Sequence, residues 1–171
     1  AKAPMSTPRA SAGVAESGGI IYVMGGVGGG AYTNTVEAYN GTSWSPRAPM
    51  SVSRDLLAAA ASNGKVYAIG GRTSNSPTTV LTSTVEEYDP VSDTWTTKSP
   101  MPTARSYLAA VTGSNGKIYA IGGCSESCTS ALATVEEYNP ATNTWATRSP
   151  MPTARSDSAA VAAPDGKIYV I

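Results

Sequence analysis

Tyr119-Ala120-Ile121-Gly122-Gly123 is a run of aromatic, small and branched residues closed by two glycines. Aromatic and branched residues suit a pleated strand. The glycine pair ends it, because glycine lets the backbone leave at dihedrals that other residues disfavour. The same segment stands earlier as Tyr67-Ala68-Ile69-Gly70-Gly71, more loosely as Tyr22-Val23-Met24-Gly25-Gly26, and again as Tyr169-Val170-Ile171. Other landmarks recur in step with it. Pro-Met falls at Pro4-Met5, Pro49-Met50, Pro100-Met101 and Pro150-Met151, followed by Arg9, Arg54, Arg105 and Arg155. Val-Glu-x-Tyr runs from Val36 to Tyr39, Val85 to Tyr88 and Val135 to Tyr138, and Trp follows at Trp44, Trp95 and Trp145. Successive landmarks lie about 45 to 52 residues apart, so the chain is an array of one repeated supersecondary unit.

Each unit holds four strand-like segments, A to D. In the second full unit they are Asp55–Ala61, Lys65–Gly70, Ser83–Tyr88 and Thr94–Lys98. Asn63-Gly64 separates A from B, and Asn115-Gly116 and Asp165-Gly166 take the same place later. Such dipeptides favour the tight turn whose twist matches a hairpin. Asp89-Pro90-Val91-Ser92-Asp93 is a second compact turn, between C and D. Strand A is made of small residues, as in Ala58-Ala59-Ala60-Ala61 and Ala109-Ala110-Val111. In isolation four alanines favour helix. Where blades converge on one axis, however, only small side chains fit, and the indole of strand D belongs at the wide rim. The gradient from Ala through Tyr to Trp is the radial taper of a blade.

The double glycine, the Tyr some six residues before the Trp, and the Trp itself resemble the kelch repeat. Tyr88 with Trp95 and Tyr138 with Trp145 keep that spacing, whereas Tyr39 with Trp44 is two residues shorter. The resemblance covers nearly the whole chain and implies an all-β propeller of four-stranded antiparallel blades. Residues 1–171 read as one propeller segment: blades at roughly 10–48, 54–98 and 105–148, and half a blade at 155–171. Propellers have four to eight blades. The ring is therefore incomplete, and its ends are expected to contact further blades, from the same polypeptide or from other copies.

Composition excludes several function classes. Formal net charge is +0 and charged residues are 14%, whereas nucleic acids and anionic membranes demand a basic surface. No apolar run approaches the roughly 20 residues of a membrane span. No histidine is present, which removes Ser-His-Asp and Cys-His catalysis within the chain and the ligands of kelch-fold copper oxidases. No cofactor or metal site is read. A glycan-active or oxidase-type enzyme would need its catalytic groups outside this segment; the expectation is no enzyme.

Because strands alternate in direction, the A–B and C–D turns share one face, and the B–C loops and blade-to-blade connections share the other. The second face carries the longer, variable loops: 27–34, 72–82 and 124–133. Variable loops on a rigid scaffold are where binding residues concentrate. The candidates are Tyr32, Arg72, Tyr107 and Asp157, with Arg54, Arg105 and Arg155. The recurrent Arg has two readings. It could form a ring of guanidinium groups for a carboxylate or acidic peptide. Alternatively, it could pair with Glu86, Glu136 or a neighbouring carbonyl and join adjacent blades. Cys124 and Cys128 flank Ser-Glu-Ser in one B–C loop and read as a small disulfide, with two free thiols as the alternative. A disulfide points to a secreted or cell-surface protein, free thiols to the cytoplasm. Asn40-Gly41-Thr42 is a formal N-glycosylation acceptor. The function expected is a binding module offering its loop face to a protein or glycan; the alternative is a structural part of a larger assembly.

Overall fold

A computed structural model describes residues 2–74, 79–125 and 128–171. Among the described residues the chain forms three four-stranded sheets and three two-stranded ones. The first contains β1 (Gly13–Ser17), β2 (Ile20–Met24), β5 (Val36–Tyr39) and β6 (Trp44–Arg47), in the order β1-β2-β5-β6. Its B–C loop carries a small hairpin of β3 (Val27–Gly28) and β4 (Ala31–Tyr32). The second contains β7 (Ala58–Ser62), β8 (Lys65–Ile69), β11 (Val85–Asp89) and β12 (Thr94–Lys98), with β9 (Arg72–Ser74) and β10 (Val80–Leu81) paired in its B–C loop. The third contains β13 (Ala109–Thr112), β14 (Ile118–Ile121), β15 (Val135–Asn139) and β16 (Thr144–Arg148). β17 (Ala160–Ala162) pairs with β18 (Ile168–Val170). All pairings are antiparallel.

The alanine tracts are strands and lie innermost. β7 packs between β1 and β13, and β13 also meets β17, so the four inner strands stand side by side. β12 and β16, at the opposite margin, are largely exposed. The core lies between blades rather than within them. Between the first two blades Tyr22, Met24, Val36 and Met50 meet Leu57, Val66 and Tyr88; between the next two Tyr67, Ile69, Val85 and Met101 meet Leu108, Ile118 and Tyr138. Tyr22 meets Tyr88 edge-on at 5.6 Å and Tyr67 meets Tyr138 at 5.8 Å, a favoured aromatic geometry.

Strand A begins later than its sequence suggests. Asp55 makes only an isolated bridge to Arg72, and Leu56 has a φ of 53°, which no strand residue adopts. The hairpin turns also divide. Asn63 and Gly64 both have positive φ and span two residues between Ser62 and Lys65. In the third blade Thr112 pairs with Ile118, and the intervening loop closes instead through Gly113 N to Lys117 O (2.9 Å) and Gly116 N to Gly113 O (2.9 Å). Gly113 takes the place of Ser62, and one extra residue, Ser114, replaces the two-residue turn by a longer one.

Three devices lock each blade to its predecessor. The first is the glycine pair: Gly71 N donates to Arg105 O (3.0 Å), and a Cβ on Gly70 would stand 2.7 Å from that same oxygen. The second is the rim. Trp95 Nε1 donates to Ala48 O (2.7 Å), while Asp93 Oδ1 accepts from Ala48 N (2.9 Å) and from the Tyr88 hydroxyl (2.6 Å). Trp145, Asn143 and Tyr138 repeat this grip on Ser99. The third is the recurrent arginine. Arg54 and Arg105 are 0% exposed. Arg54 donates to the carbonyls of Ala68, Gly70 and Thr84 and to Glu86 Oε2 (2.8 Å). Arg105 does the same with Ala120, Gly122, Thr134 and Glu136 Oε2 (2.9 Å). Burial acts to lower the pKa of each guanidinium and its glutamate opposes that. The backbone of Arg54 meanwhile bonds the previous blade, Arg54 N to Thr33 O (3.2 Å) and Gly26 N to Arg54 O (2.8 Å). One residue thus fastens two blades.

Removing one member of such a buried pair leaves an uncompensated charge. Glu86→Gln is expected to cost about 3–5 kcal/mol in urea unfolding, and adding Arg54→Met should return part of that loss. Gly64 and Gly70 both have positive φ, so Ala at either costs roughly 1–2 kcal/mol of backbone strain. No atom lies within 4 Å of a Cβ at Gly64, so Gly70→Ala is expected to lower the melting temperature clearly more than Gly64→Ala. On the flank of the third blade, a hydrogen bond from Arg148, helped by Lys117, holds the Glu137 carboxyl down at about 2, against an ordinary 4.5. A depressed carboxylate stabilises the fold above its ordinary pKa and loses that effect as pH falls toward the depressed one. Wild type should therefore be more stable than Glu137→Gln at neutral pH, and the gap should close between pH 4.5 and about 2, read by urea unfolding across that range.

Candidate functional site

The loop face is built on a row of strained residues. The position two after each recurrent arginine is Ser11, Leu56, Tyr107 and Asp157, with φ of 57°, 53°, 54° and 56°. This left-handed conformation is uncommon for any non-glycine residue and an outlier for bulky ones. A chain of backbone bonds holds it. Leu56 N donates to Ser11 O (2.9 Å), Tyr107 N to Leu56 O (3.1 Å) and Asp157 N to Tyr107 O (2.9 Å). The four residues stand at the top of the inner strands and border a cleft of about 130 Å³ together with Leu57 and Ser158. The frame is the same in every blade while the side chains are a hydroxyl, an aliphatic group, a phenol and a carboxylate.

A second variable feature stands beside it. The residue one after each arginine bridges the first residue beyond the glycine pair: Ala10 with Val27, Asp55 with Arg72, Ser106 with Cys124. The backbone geometry is shared and the side-chain chemistry is not. Asp55 and Arg72 form a bidentate ion pair, Nη2 to Oδ2 at 2.7 Å and Nε to Oδ1 at 3.1 Å. That hydrogen bond with Asp55 raises the Arg72 pKa. Its guanidinium lies 5.6 Å from the centre of the Tyr32 ring, within cation–π range. The Tyr32 hydroxyl is buried with no hydrogen-bond partner among the described residues, and burial raises its pKa. Cys124 and Cys128 are joined, and the Ser106 hydroxyl lies 3.4 Å from Cys128 Sγ. Glu126 and Ser127 between them, and residues 75–78 of the 72–82 loop, lie outside the described residues.

The structure sorts the sequence candidates into three groups. Tyr32 and Arg72 come together around Asp55. Tyr107 and Asp157 come together on the strained row. The arginines do not join them: Arg54 and Arg105 are buried and committed to a glutamate and three carbonyls each, so the reading of a guanidinium ring at the mouth is corrected for these two. Arg155 alone of the three is exposed. Asp55, Ser11 and Leu56 escaped the sequence reading. The signal for them was present in their fixed offset from the recurrent arginine, where residue type changes between copies of an otherwise regular repeat.

Comparison with known proteins agrees with this architecture. A family model for the KLHDC2/KLHL20/DRC7 Kelch-repeats domain matches residues 1–171. The solved structure of YjhT superposes with a TM-score of 0.84 at 19% identity, covering 99% of this chain and 60% of that one. The chain thus spans little more than half the length of that neighbour, and the likeness is one of fold. No curated protein matches the chain. The chain belongs to the kelch-repeat family and is an all-β segment of a propeller built from four-stranded antiparallel blades.

Proposed function

We propose that this protein is a non-catalytic interaction module that presents its loop face to a protein partner. Kelch-repeat propellers typically serve as protein-interaction modules. The observation that supports the loop face is the contrast between frame and side chains. Each full blade uses the same buried Arg–Glu pair, the same glycine close approach and the same left-handed turn, yet the residues those turns carry differ blade by blade. A constant scaffold with variable, strained, solvent-facing side chains is the arrangement of a recognition surface. The partner contacts would come from Tyr107, Asp157 and the Tyr32–Arg72 stack. Leu56 would supply the apolar part. Such a mixture of aromatic, apolar and charged groups suits protein recognition better than a glycan platform of several stacked aromatics. The loop clasped by Cys124 and Cys128 fits an oxidising, extracellular setting.

A second reading is favoured by the flanks. Val14 is 55% exposed on the outer face of the first blade, and Val161 and Tyr169 are 55% and 48% exposed on the other side. These are the faces that pack blade against blade elsewhere in the chain, so they suit further blades.

The loop-face reading is tested by cross-linking mass spectrometry on partners captured with the whole chain. Cross-links should map to residues near Tyr107, Asp157 and Arg72, and Tyr107→Ser with Asp157→Ser should reduce capture at least tenfold. Val91→Ser, on the opposite hairpin face, should leave it intact. Loss with Val91→Ser and retention with the loop-face pair would overturn the reading.

A further inference from the structure

We propose that Cys124 and Cys128 form a thiol–disulfide exchange site, in which a small thiol attacks the Cys128 sulfur and the Ser106 hydroxyl stabilises the charge that leaves on Cys124. The site lies in the loop of the third blade. It stands on its own contacts and does not depend on the partner reading above.

The two cysteines are held very differently. Cys124 is buried and is the first residue beyond the glycine pair. Its N–H donates to Ser106 O (2.9 Å), its carbonyl accepts from Ser106 N (3.2 Å), and it also bridges Ala131. Its place is set by the frame of the blade, with or without a bond to sulfur. Cys128 is half-buried and belongs to no strand. Its φ is 55°, and its N–H donates to Ser125 O at 3.2 Å. A left-handed backbone at a residue with a Cβ persists only where its surroundings impose it, and the link to the fixed Cys124 supplies that constraint. The link joins residues only 4 apart in sequence. Closing so short a loop removes little chain entropy, so opening it costs the fold little. The β13–β16 sheet and the Arg105–Glu136 pair, which fasten this blade, do not use the cysteines. A short-range link with one accessible sulfur is the kind that exchanges.

Ser106 supplies the second half of the site. It is buried, and its hydroxyl lies 3.6 Å from Cys124 Sγ and 3.4 Å from Cys128 Sγ. Among the described residues these two sulfurs are the hydroxyl's hydrogen-bond partners. A disulfide sulfur is a weak acceptor, whereas a thiolate is a strong one, so the hydroxyl binds the reduced form better. Because Cys124 is buried, the incoming thiolate meets Cys128 Sγ. A new S–S bond forms there as the Cys124–Cys128 bond breaks, and the electron pair leaves on Cys124 Sγ, to which the Ser106 hydroxyl donates. A second small thiol then attacks the reagent's sulfur in the mixed disulfide and releases Cys128. Two thiols are oxidised to one disulfide, the two cysteines are reduced, and the two protons pass from reagent to cysteines through solvent. The bridge that Ser106 makes to Cys124 is the one that carries the Asp55–Arg72 ion pair in the second blade. One backbone frame thus carries charge in one blade and sulfur chemistry in the next.

The whole chain is treated with reduced glutathione, quenched in acid and alkylated, and the adducts are mapped by peptide mass spectrometry. Glutathione is expected on Cys128, with Cys124 alkylated. Dithiothreitol is expected to reduce the folded protein completely. Amide exchange should then quicken at residues 106–107 and 128–131 while β13–β16 stay protected. Ser106→Ala should be reduced about tenfold more slowly or worse, because the leaving thiolate loses a charge-assisted hydrogen bond. An adduct on Cys124, or no adduct, overturns the proposal. So does reduction that proceeds only as the fold melts, an unchanged rate in Ser106→Ala, or a chain whose two thiols stay free in oxidised glutathione. The adduct position is read on the unaltered chain, so it decides the matter even where Ser106→Ala disturbs packing. None of these outcomes bears on partner capture by the loop-face variants.

Discussion

The blades are joined by a charge placed where water cannot reach it. Arg54 and Arg105 sit where strands B and C run into the loop face, and each donates to carbonyls at the ends of both strands, which need donors when buried. A guanidinium supplies several in a fixed plane, which an ammonium could not. Its own charge then requires a carboxylate, and the glutamate of Val-Glu-x-Tyr meets that need from the neighbouring strand. A buried pair of this kind adds little net stability over an apolar replacement, but an incorrect partner leaves a bare charge. Its effect is therefore on register and on which connection meets which sheet. The glycine pair follows from the same geometry, since the arginine carbonyl must come close enough to bond a glycine N–H.

Once that junction is set, the residues immediately after the arginine have little choice of backbone. The connection must turn from lying across the previous blade to running down the axis, and it does so through one left-handed residue per blade. The strain at Leu56 and Tyr107 is held by the hydrogen-bonded row from Ser11 to Asp157. The fold thus fixes four backbone positions and leaves the identity of their side chains free. The same holds for the bridge one residue earlier, which accepts Ala10 with Val27, an ion pair, or Ser106 with a cysteine.

Much of this was legible in the sequence because it is repeated. The spacing of Tyr-Ala-Ile-Gly-Gly, the alanine tracts and the Trp gave blade, taper and connectivity without any knowledge of neighbours. What was not legible depends on partners distant in the chain. Asp55–Leu57 read as the start of a strand, since nothing local announces that the connection needs a left-handed turn there. Asn115-Gly116 looked like Asn63-Gly64, yet one more residue before it lengthens the loop and changes its closure. The arginines admitted both an exposed and a buried role until Glu86 and Glu136 were placed beside them. The bidentate Asp55–Arg72 pair joins residues 17 apart in sequence and could not be read from either alone.

The B–C loops show how a propeller varies its surface without disturbing its joints. Each loop leaves the glycine pair at the same bridge, and a loop that is already ordered would avoid the affinity lost to ordering on binding. The first blade orders its loop with the β3–β4 hairpin and the Tyr32 ring. The second adds charge to its own β9–β10 pair, Arg72 held by Asp55 against that same ring, so the first two loops support each other across the blade boundary. The third uses a covalent link, Cys124 to Cys128, braced by Ser106. Hairpin, ion pair and disulfide are different chemical answers to one constraint: the loop face must be stiff, and the inner strands beneath it, built of alanine, have no long side chains with which to hold it.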